Sequence, residues 1–251
     1  MTIWYPRLAS RSTSTGVGRV RMRRASPRQH AVLQALAMNF RSQQRYARWT
    51  SNNVTVAIRT LAVETGMSRS MVARVLEELV GAQLISRKGV RWVDGGYPTM
   101  SYRLSQAAMD EASAYTMEMT DDAFTEPALG QVGRAVWSIV GVDGASTKEL
   151  LTSSGTSSLA LARVLRKMRS VGLLTLRRGR WERVGGAEAH AGDMLRAAAA
   201  HFGTTALLAD RVERYAAETQ AWLEKYRAGQ QAHQSAVTRS RITRIAYASA
   251  A

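Results

Sequence analysis

The chain contains one unit of sequence twice, at a constant offset of 89 residues. When residues 61–92 are aligned with residues 150–181 without a gap, ten of the 32 positions are identical, and both copies contain the string Ala-Arg-Val-Leu. An internal repeat of this kind indicates one structural unit that is used twice. The fold must therefore place two similar modules in a single chain.

Each copy opens with a predicted short helix, at residues 56–64 in the first copy and 147–153 in the second. Gly66 and Gly155 follow these two helices directly. A glycine at the end of a short amphipathic helix is typical of a left-handed C-terminal cap. The pattern therefore predicts a helix that ends in a tight glycine turn.

A second helix is predicted after each glycine turn. Ser68 and Ser157 are its expected N-caps, and Ser146 with Glu149 has the spacing of a capping box before the preceding helix. Apolar residues with the spacing of a half-buried helix follow at Val72, Val75, Leu76 and Leu79, and at Leu161, Val164, Leu165 and Met168. Two helices joined this way form a helix-turn-helix, whose second helix, here the reading helix, is the usual reader of the major groove of DNA.

A basic β-hairpin, or wing, is predicted after each reading helix. Residues 177–180 read Arg-Arg-Gly-Arg, which is short enough for a tight hairpin, whereas the first wing is longer and returns at residues 101–104. Trp92 and Trp181 lie in the wing strands, where we expect core packing, with base stacking as the alternative. Helical periodicity alone would also fit two plain helical hairpins. The order of helix, glycine turn, serine-capped helix, basic wing and tryptophan strand recurs in both copies, however, and this recurrence argues against plain hairpins.

The expected fold class is α+β, mainly α with small β-wings: tandem winged helix-turn-helix domains with a C-terminal helical extension. A helix precedes each helix-turn-helix, at residues 27–40 and 128–140. The predicted division is a basic arm (1–26), a first module (27–105), an acidic linker (106–127), a second module (128–186), C-terminal helices (187–229) and a basic tail (230–251).

The charge of the chain points to a polyanionic partner. The net charge is +16 and the sequence pI is about 11.1, which favours nucleic acid as that partner. Residues 1–63 hold eleven arginines and no acid, while the linker holds six acids and no base. The acidic linker could be a connector between two basic modules that lie along DNA, or simply a solvated helix surface with locally packed methionines. We favour the second interpretation, called the structural reading below.

Other classes of function lack their signatures in this sequence. There is no cysteine, which excludes disulfides and thiolate metal sites and fits a reducing cytoplasm. We find no apolar run long enough for a membrane span, no signal peptide, no phosphate-binding P-loop and no His-Glu-x-x-His motif. We therefore expect no enzyme activity, no cofactor, no metal site and no membrane partner, and a cytoplasmic, nucleoid-associated protein.

The candidate DNA-binding residues lie on the reading helices, the wings and the arm. Arginine can bind guanine or phosphate through two hydrogen bonds, and serine and threonine can bond phosphates or base edges. The arm is expected to act electrostatically or to enter a minor groove. The predicted set is Ser68, Arg69, Ser70, Arg74, Arg87, Lys88 and Arg91; Thr156, Ser157, Ser158, Arg163, Arg166, Lys167, Arg177, Arg178 and Arg180; and Arg19, Arg21, Arg23 and Arg24.

Residues 58–79 resemble the winged helix-turn-helix domain of plasmid and phage replication proteins, especially actinobacterial ones. Residues 101–104 look like the closing strand of such wings, and similar helices occur in GntR- and MarR-type regulators. The resemblance covers about residues 27–105 and, less clearly, 128–184. It implies binding of the reading helix to DNA repeats at an origin or to an operator.

Three functions remain open on the sequence alone. The first is a replication initiator or origin-binding maintenance protein of a plasmid or phage, the second a transcription repressor, and the third an architectural or partner-recruiting protein. Apolar and aromatic residues at heptad spacing between residues 208 and 226 form a seam on a C-terminal helix. That seam is expected either to pack on the second module or to form a homodimer through residues 204–228.

Overall fold

The computed structural model describes residues 24–46, 53–93, 97–117, 121–141, 143–185 and 190–248. These residues are mainly helical and include two small antiparallel sheets of three strands each. The expected α+β class, mainly α with small β elements, is thereby confirmed.

The first module contains three helices and three strands. Its first helix begins at Pro27. The Ser26 hydroxyl accepts from the Gln29 N–H, and the Gln29 side chain accepts from the Ser26 N–H. Gly66 ends the second helix with φ of 69°, in the left-handed region that favours glycine. The elements are α1 (Pro27–Tyr46), β1 (Asn53–Thr55), α2 (Ile58–Thr65), α3 (Arg69–Gly81), β2 (Ile85–Val93) and β3 (Tyr97–Leu104).

The segment expected as an acidic linker is folded onto the modules. Helix α4 (Gln106–Ala112) packs on α1, and Met117 is buried in the first core. The Asp122 carboxylate accepts from the N–H groups of Ala206 and Leu208 at 2.9 and 2.8 Å. The burial of Met117 agrees with the structural reading of the linker, whereas the contact of Asp122 with the backbone of residues 206 and 208 was not expected.

The second module repeats the order of the first after this segment. The predicted capping box is present: Ser146 accepts from the Glu149 N–H, and the Glu149 carboxylate accepts from the Ser146 N–H. Gly155 ends its second helix in the left-handed region, as Gly66 does in the first module. The elements are α5 (Gly130–Val140), β4 (Ala145–Ser146), α6 (Thr147–Ser154), α7 (Ser158–Ser170), β5 (Leu174–Arg177) and β6 (Arg180–Arg183).

The two sheets have the same strand order, β1-β3-β2 and β4-β6-β5. Val54 pairs with Tyr102 in the first sheet, and Ala145 pairs with Trp181 in the second. The strands β1 and β4 were not expected from the sequence, because segments of two or three residues carry no alternation of their own. Each of these strands lies between the first and second helices of its module and pairs with the last strand of the hairpin.

Each module has its own core, and the two modules also pack against each other. Leu33, Leu61 and Leu79 are fully buried in the first core, and Trp137 and Leu150 are fully buried in the second. The helices α1 and α5 are in contact, and Ala135 of α5 belongs to the first core. The modules are therefore two halves of one packed unit.

The C-terminal extension consists of α8 (Ala191–Phe202) and the long helix α9 (Leu207–Ala248). Helix α9 continues through the boundary predicted at residue 230. Its seam packs on the first module, because Tyr215 is buried in the first core and Arg211 bonds to the turn before α3. The expected packing on the second module is therefore wrong for this part of α9, and the homodimer through residues 204–228 stays a prediction.

Candidate nucleic-acid interface

The helices α3 and α7 begin at capped and exposed N-termini. The Ser68 hydroxyl accepts from the Met71 N–H at 3.2 Å, and the Ser157 hydroxyl accepts from the Ala160 N–H at 3.3 Å. Both serines are exposed, as are Ser70 and Ser158, whereas Thr156 is half-buried. The Ser157 hydroxyl can still donate its hydrogen to an anion, because its oxygen serves the cap only as an acceptor, whereas the Ser68 hydroxyl also shares a hydrogen bond with the Ser70 hydroxyl at 3.1 Å.

Helix α7 presents a row of arginines to solvent. Arg163, Arg166 and Arg169 are exposed and follow one another at intervals of three residues, which places them on one side of the helix. Within the part of the chain that the structure describes, none of the three forms an ion pair or a side-chain hydrogen bond. This side of α7 thus carries three unneutralised guanidinium groups.

Lys167 was predicted to contact DNA together with that row, but its side chain bonds to the protein. Its ammonium group donates to the carbonyl oxygens of Ala128 at 2.9 Å and Pro127 at 3.3 Å. It also lies 5.5 Å from the centre of the Phe202 ring. The carbonyl groups before α5 hold this side chain on the protein, so Lys167 is a structural contact.

The second wing adds two further unpaired arginines. Arg178 and Gly179 form its two-residue turn with φ of 49° and 76°, the left-handed pair that a tight hairpin requires. Arg177 and Arg178 are exposed and without a side-chain partner among the described residues. Arg180 is partly engaged, because it donates to the Gly144 carbonyl oxygen at 2.9 Å and lies 3.6 Å from the Glu149 carboxylate.

Trp181 packs beneath this wing, as expected. It is 9% exposed, and its indole Nε1 donates to the Thr147 hydroxyl at 3.0 Å. The alternative role of base stacking is thereby wrong for Trp181. The side chain of Trp92, its counterpart in the first module, lies outside the described residues.

The first module presents less free positive charge than the second. Arg74 is exposed and has no partner among the described side chains, whereas Arg69 is paired with Glu218 of α9 at 2.6 Å. Arg87 of the wing is paired with Glu77 of α3. Lys88 sits exposed at the bulge in β2, and the side chain of Arg91 lies outside the described part of the chain.

The arm is described only at its end. Arg24 donates to the carbonyl oxygen of Ser153 at 3.0 Å, near the end of α6. Arg19, Arg21 and Arg23 lie outside the described residues. Residues 24 and 25 therefore lie beside the turn that leads into α7.

Two features of this surface could not be predicted from the sequence: the ion pair of Arg59 with Glu218, and the packing of α9 on the first module. Arg59 of α2 and Glu218 of α9 are ion-paired at 3.5 Å, although 159 positions separate them in the sequence. The heptad seam predicted the helix that carries Glu218 but not the module on which that helix lies. Such pairs depend on tertiary placement, which local patterns do not encode.

Neither a metal-binding cluster nor a membrane-spanning helix is found among the described residues. No group of three or more histidine, cysteine, aspartate or glutamate side chains in this part of the chain is arranged to hold a metal ion. None of the helices described is long and apolar enough to cross a membrane. Comparison with protein-family models and with curated proteins finds no match for this chain.

Proposed function

We propose that both modules are winged helices and that the chain is a sequence-specific binding protein for double-stranded DNA. The observation that carries this proposal is the surface formed by Arg163, Arg166 and Arg169 on α7. These arginines lie on the second helix of a helix-turn-helix, the element that enters the major groove in proteins of this class. Their guanidinium groups are exposed and unneutralised, so binding DNA would break no existing ion pair of theirs.

Within this surface, Arg163 is the proposed base reader. It corresponds to Arg74 in the repeat, and both arginines are exposed on the second helix of their module. An arginine at this place can form two hydrogen bonds with the major-groove edge of guanine. Arg166, Arg169, Arg177 and Arg178 are then the phosphate contacts that fix the register of the helix.

The second module is the proposed primary contact. Its helix α7 has Arg166 where the first module has Glu77, so the same position attracts phosphate in one module and repels it in the other. Glu77 also neutralises Arg87 of the first wing. The first module consequently contributes mainly through Arg74 and Lys88, because Arg69 is paired with Glu218.

The biological role that we propose is origin binding for a plasmid or phage. It rests on the resemblance of residues 58–79 to the winged helices of replication proteins. Repression of transcription from an operator is the alternative, and recruitment of a partner protein by one module is the third. The target sequence separates the first two, because origins of this kind carry direct repeats whereas an operator is expected to be a single palindrome.

The test of DNA binding compares two triple variants of the full chain. The first replaces Arg163, Arg166 and Arg169 with alanine, and the second replaces Arg196, Arg214 and Arg227, which are exposed on α8 and α9. Both variants lose three positive charges, so their difference reports position and not net charge. We expect the first to lose at least tenfold more affinity for duplex DNA, measured by fluorescence anisotropy, and equal losses would contradict the proposal.

The biological role is tested by selection from a random pool of duplexes. The full chain is used to enrich bound sequences, and the enriched motif is then located in the DNA beside its own gene. Several direct copies of the motif would support origin binding. A single palindromic copy over a promoter would overturn it in favour of repression.

A further inference from the structure

Glu218 of α9 lies between two arginines of the first module. Its Oε2 atom is 2.6 Å from Nη1 of Arg69 and 3.5 Å from Nη2 of Arg59, and its Oε1 atom accepts from Nη2 of Arg69 at 3.4 Å. Arg59 comes from α2, and Arg69 is the first residue of α3. One carboxylate thus holds together two guanidinium groups from the two helices of the helix-turn-helix.

The helix that carries Glu218 is fixed at this place by further contacts. Arg211, which is 9% exposed, donates from Nη1 to the Gly66 carbonyl oxygen at 2.6 Å and to the Met67 carbonyl oxygen at 3.2 Å. Tyr215 is buried in the first core, and Thr219 accepts from Arg59 at 3.0 Å. These contacts align α9 with the turn between α2 and α3, so the position of Glu218 is built into the fold.

A carboxylate held in this way presents one negative charge and two acceptor oxygens, as a backbone phosphate group does. Paired guanidinium groups bind carboxylate and phosphate through the same donors, and arginine suits both. In a helix-turn-helix the first helix crosses the DNA backbone while the second enters the groove. Arg59 and Arg69, one on each helix, are therefore placed where a backbone phosphate would approach.

We propose that Arg59 and Arg69 form a phosphate-binding pair for the DNA backbone, and that Glu218 occupies this pair in the absence of DNA. This inference rests on the proposed function, because its ligand is the backbone of the duplex that the chain binds. DNA must displace the Glu218 carboxylate before the first module can engage fully. The first module is thus held closed by its own C-terminal helix.

The second module has no such closure within the described residues. The positions that correspond to Arg59 and Arg69 are Lys148 and Ser158, and both are exposed. Among the described residues, α9 contacts α2, α3 and the turn between them, all of which belong to the first module. DNA can therefore reach α7 first, and the opening of the first module follows as a second step.

The first test compares Glu218→Gln with the control Glu213→Gln in the full chain. Both variants remove one negative charge from α9, but Glu213 is exposed and has no side-chain partner among the described residues. Because ion pairs that are about one-third to one-half exposed contribute little, we expect Glu218→Gln to bind duplex DNA about three- to tenfold more tightly than wild type. The control should change affinity less than twofold.

The proposal that Glu218 closes the first module would be overturned if Glu218→Gln gained no more DNA affinity than the control, or if it lost affinity. The salt dependence is a second readout, because each additional phosphate contact steepens the slope of log affinity against log salt by about 0.9. Glu218→Gln should steepen this slope and Glu213→Gln should not. Adding Arg59→Ala to Glu218→Gln should abolish the gain, and a gain that survives would exclude Arg59 from the pair.

Two further outcomes are assigned in advance. If Glu218→Gln does not fold by circular dichroism, Glu218→Asp keeps the charge but shortens the reach, and it must show a smaller gain in the same direction. If neither wild type nor the folded variants bind any duplex, the proposed function itself fails. If wild type binds and Glu218→Gln matches Glu213→Gln, only the closure by Glu218 fails.

Discussion

Replacement of Gly155 with alanine should show how firmly the two modules are packed together. Gly155 ends α6 with φ of 63°, and a Cβ atom at this position would lie 2.5 Å from the carbonyl oxygen of Ala25. That distance is far below van der Waals contact. The Ala25 backbone cannot easily retreat, because its N–H donates to Glu111 at 3.1 Å and Arg24 is anchored to Ser153.

The expected cost has two parts, which a matched control separates. An alanine in the left-handed region costs about 1–2 kcal/mol, and forcing extra atoms into a packed contact costs about 1–3 kcal/mol more. Gly203 ends α8 with φ of 67°, and a Cβ atom added there would meet none of the described residues within 4 Å. Gly203→Ala therefore carries the first cost alone, whereas Gly155→Ala carries both.

Urea unfolding followed by circular dichroism measures the free energy of unfolding of both variants. We expect Gly155→Ala to be less stable than Gly203→Ala by about 1–3 kcal/mol. Equal losses of stability would refute the close approach of residue 25 to the second module. They would also remove the reason to place residues 24 and 25 beside the turn that leads into α7.

Three further predictions concern acid stability and binding. Burial lowers the pKa of His30 to about 4, so the unfolded chain takes up a proton first as the pH falls from about 6.5 to 4. The free energy of unfolding should therefore fall by up to about 3 kcal/mol through that pH window. In urea unfolding at several pH values, His30→Gln should show a weaker dependence of stability on pH. Arg163→Ala should cost about 1–3 kcal/mol on a selected target and less on random duplex, and equal losses on both would remove it as a base reader. Duplex affinity should fall by about three to five decades between 50 and 200 mM salt if six to ten phosphates are contacted, and a flat response would contradict phosphate binding.

The sequence predicted those parts of the fold that local signals determine. Gly66, Ser68, Ser146 and Gly155 each set the end of a helix through contacts within four residues, and each has the role expected of it. The turn at Arg178 and Gly179 is equally local. Such features depend on backbone conformation and on nearby N–H groups, which a short stretch of sequence specifies by itself.

Features that depend on tertiary placement were not predicted. The strands β1 and β4 exist through pairing with β3 and β6 and have no pattern of their own. Arg69 and Lys167 were expected to face DNA, yet Arg69 is paired with Glu218 and Lys167 is held by carbonyl groups before α5. The candidate interface could thus be located by sequence, whereas the availability of its charges could not.

The repeat explains why the fold was more predictable than the distribution of free charge. Identical positions such as Leu76/Leu165 are buried in their cores and preserve the module, while the exposed pair 77/166 differs in charge between the copies. Where the first module has Glu77, which neutralises its own wing, the second has Arg166, which has no partner among the described residues. Two modules with one architecture therefore present opposite charges at the same place on the reading helix. Because the negatively charged DNA backbone attracts Arg166 and repels Glu77, we expect binding to begin at the second module. The first module then engages once the chain is held on the DNA.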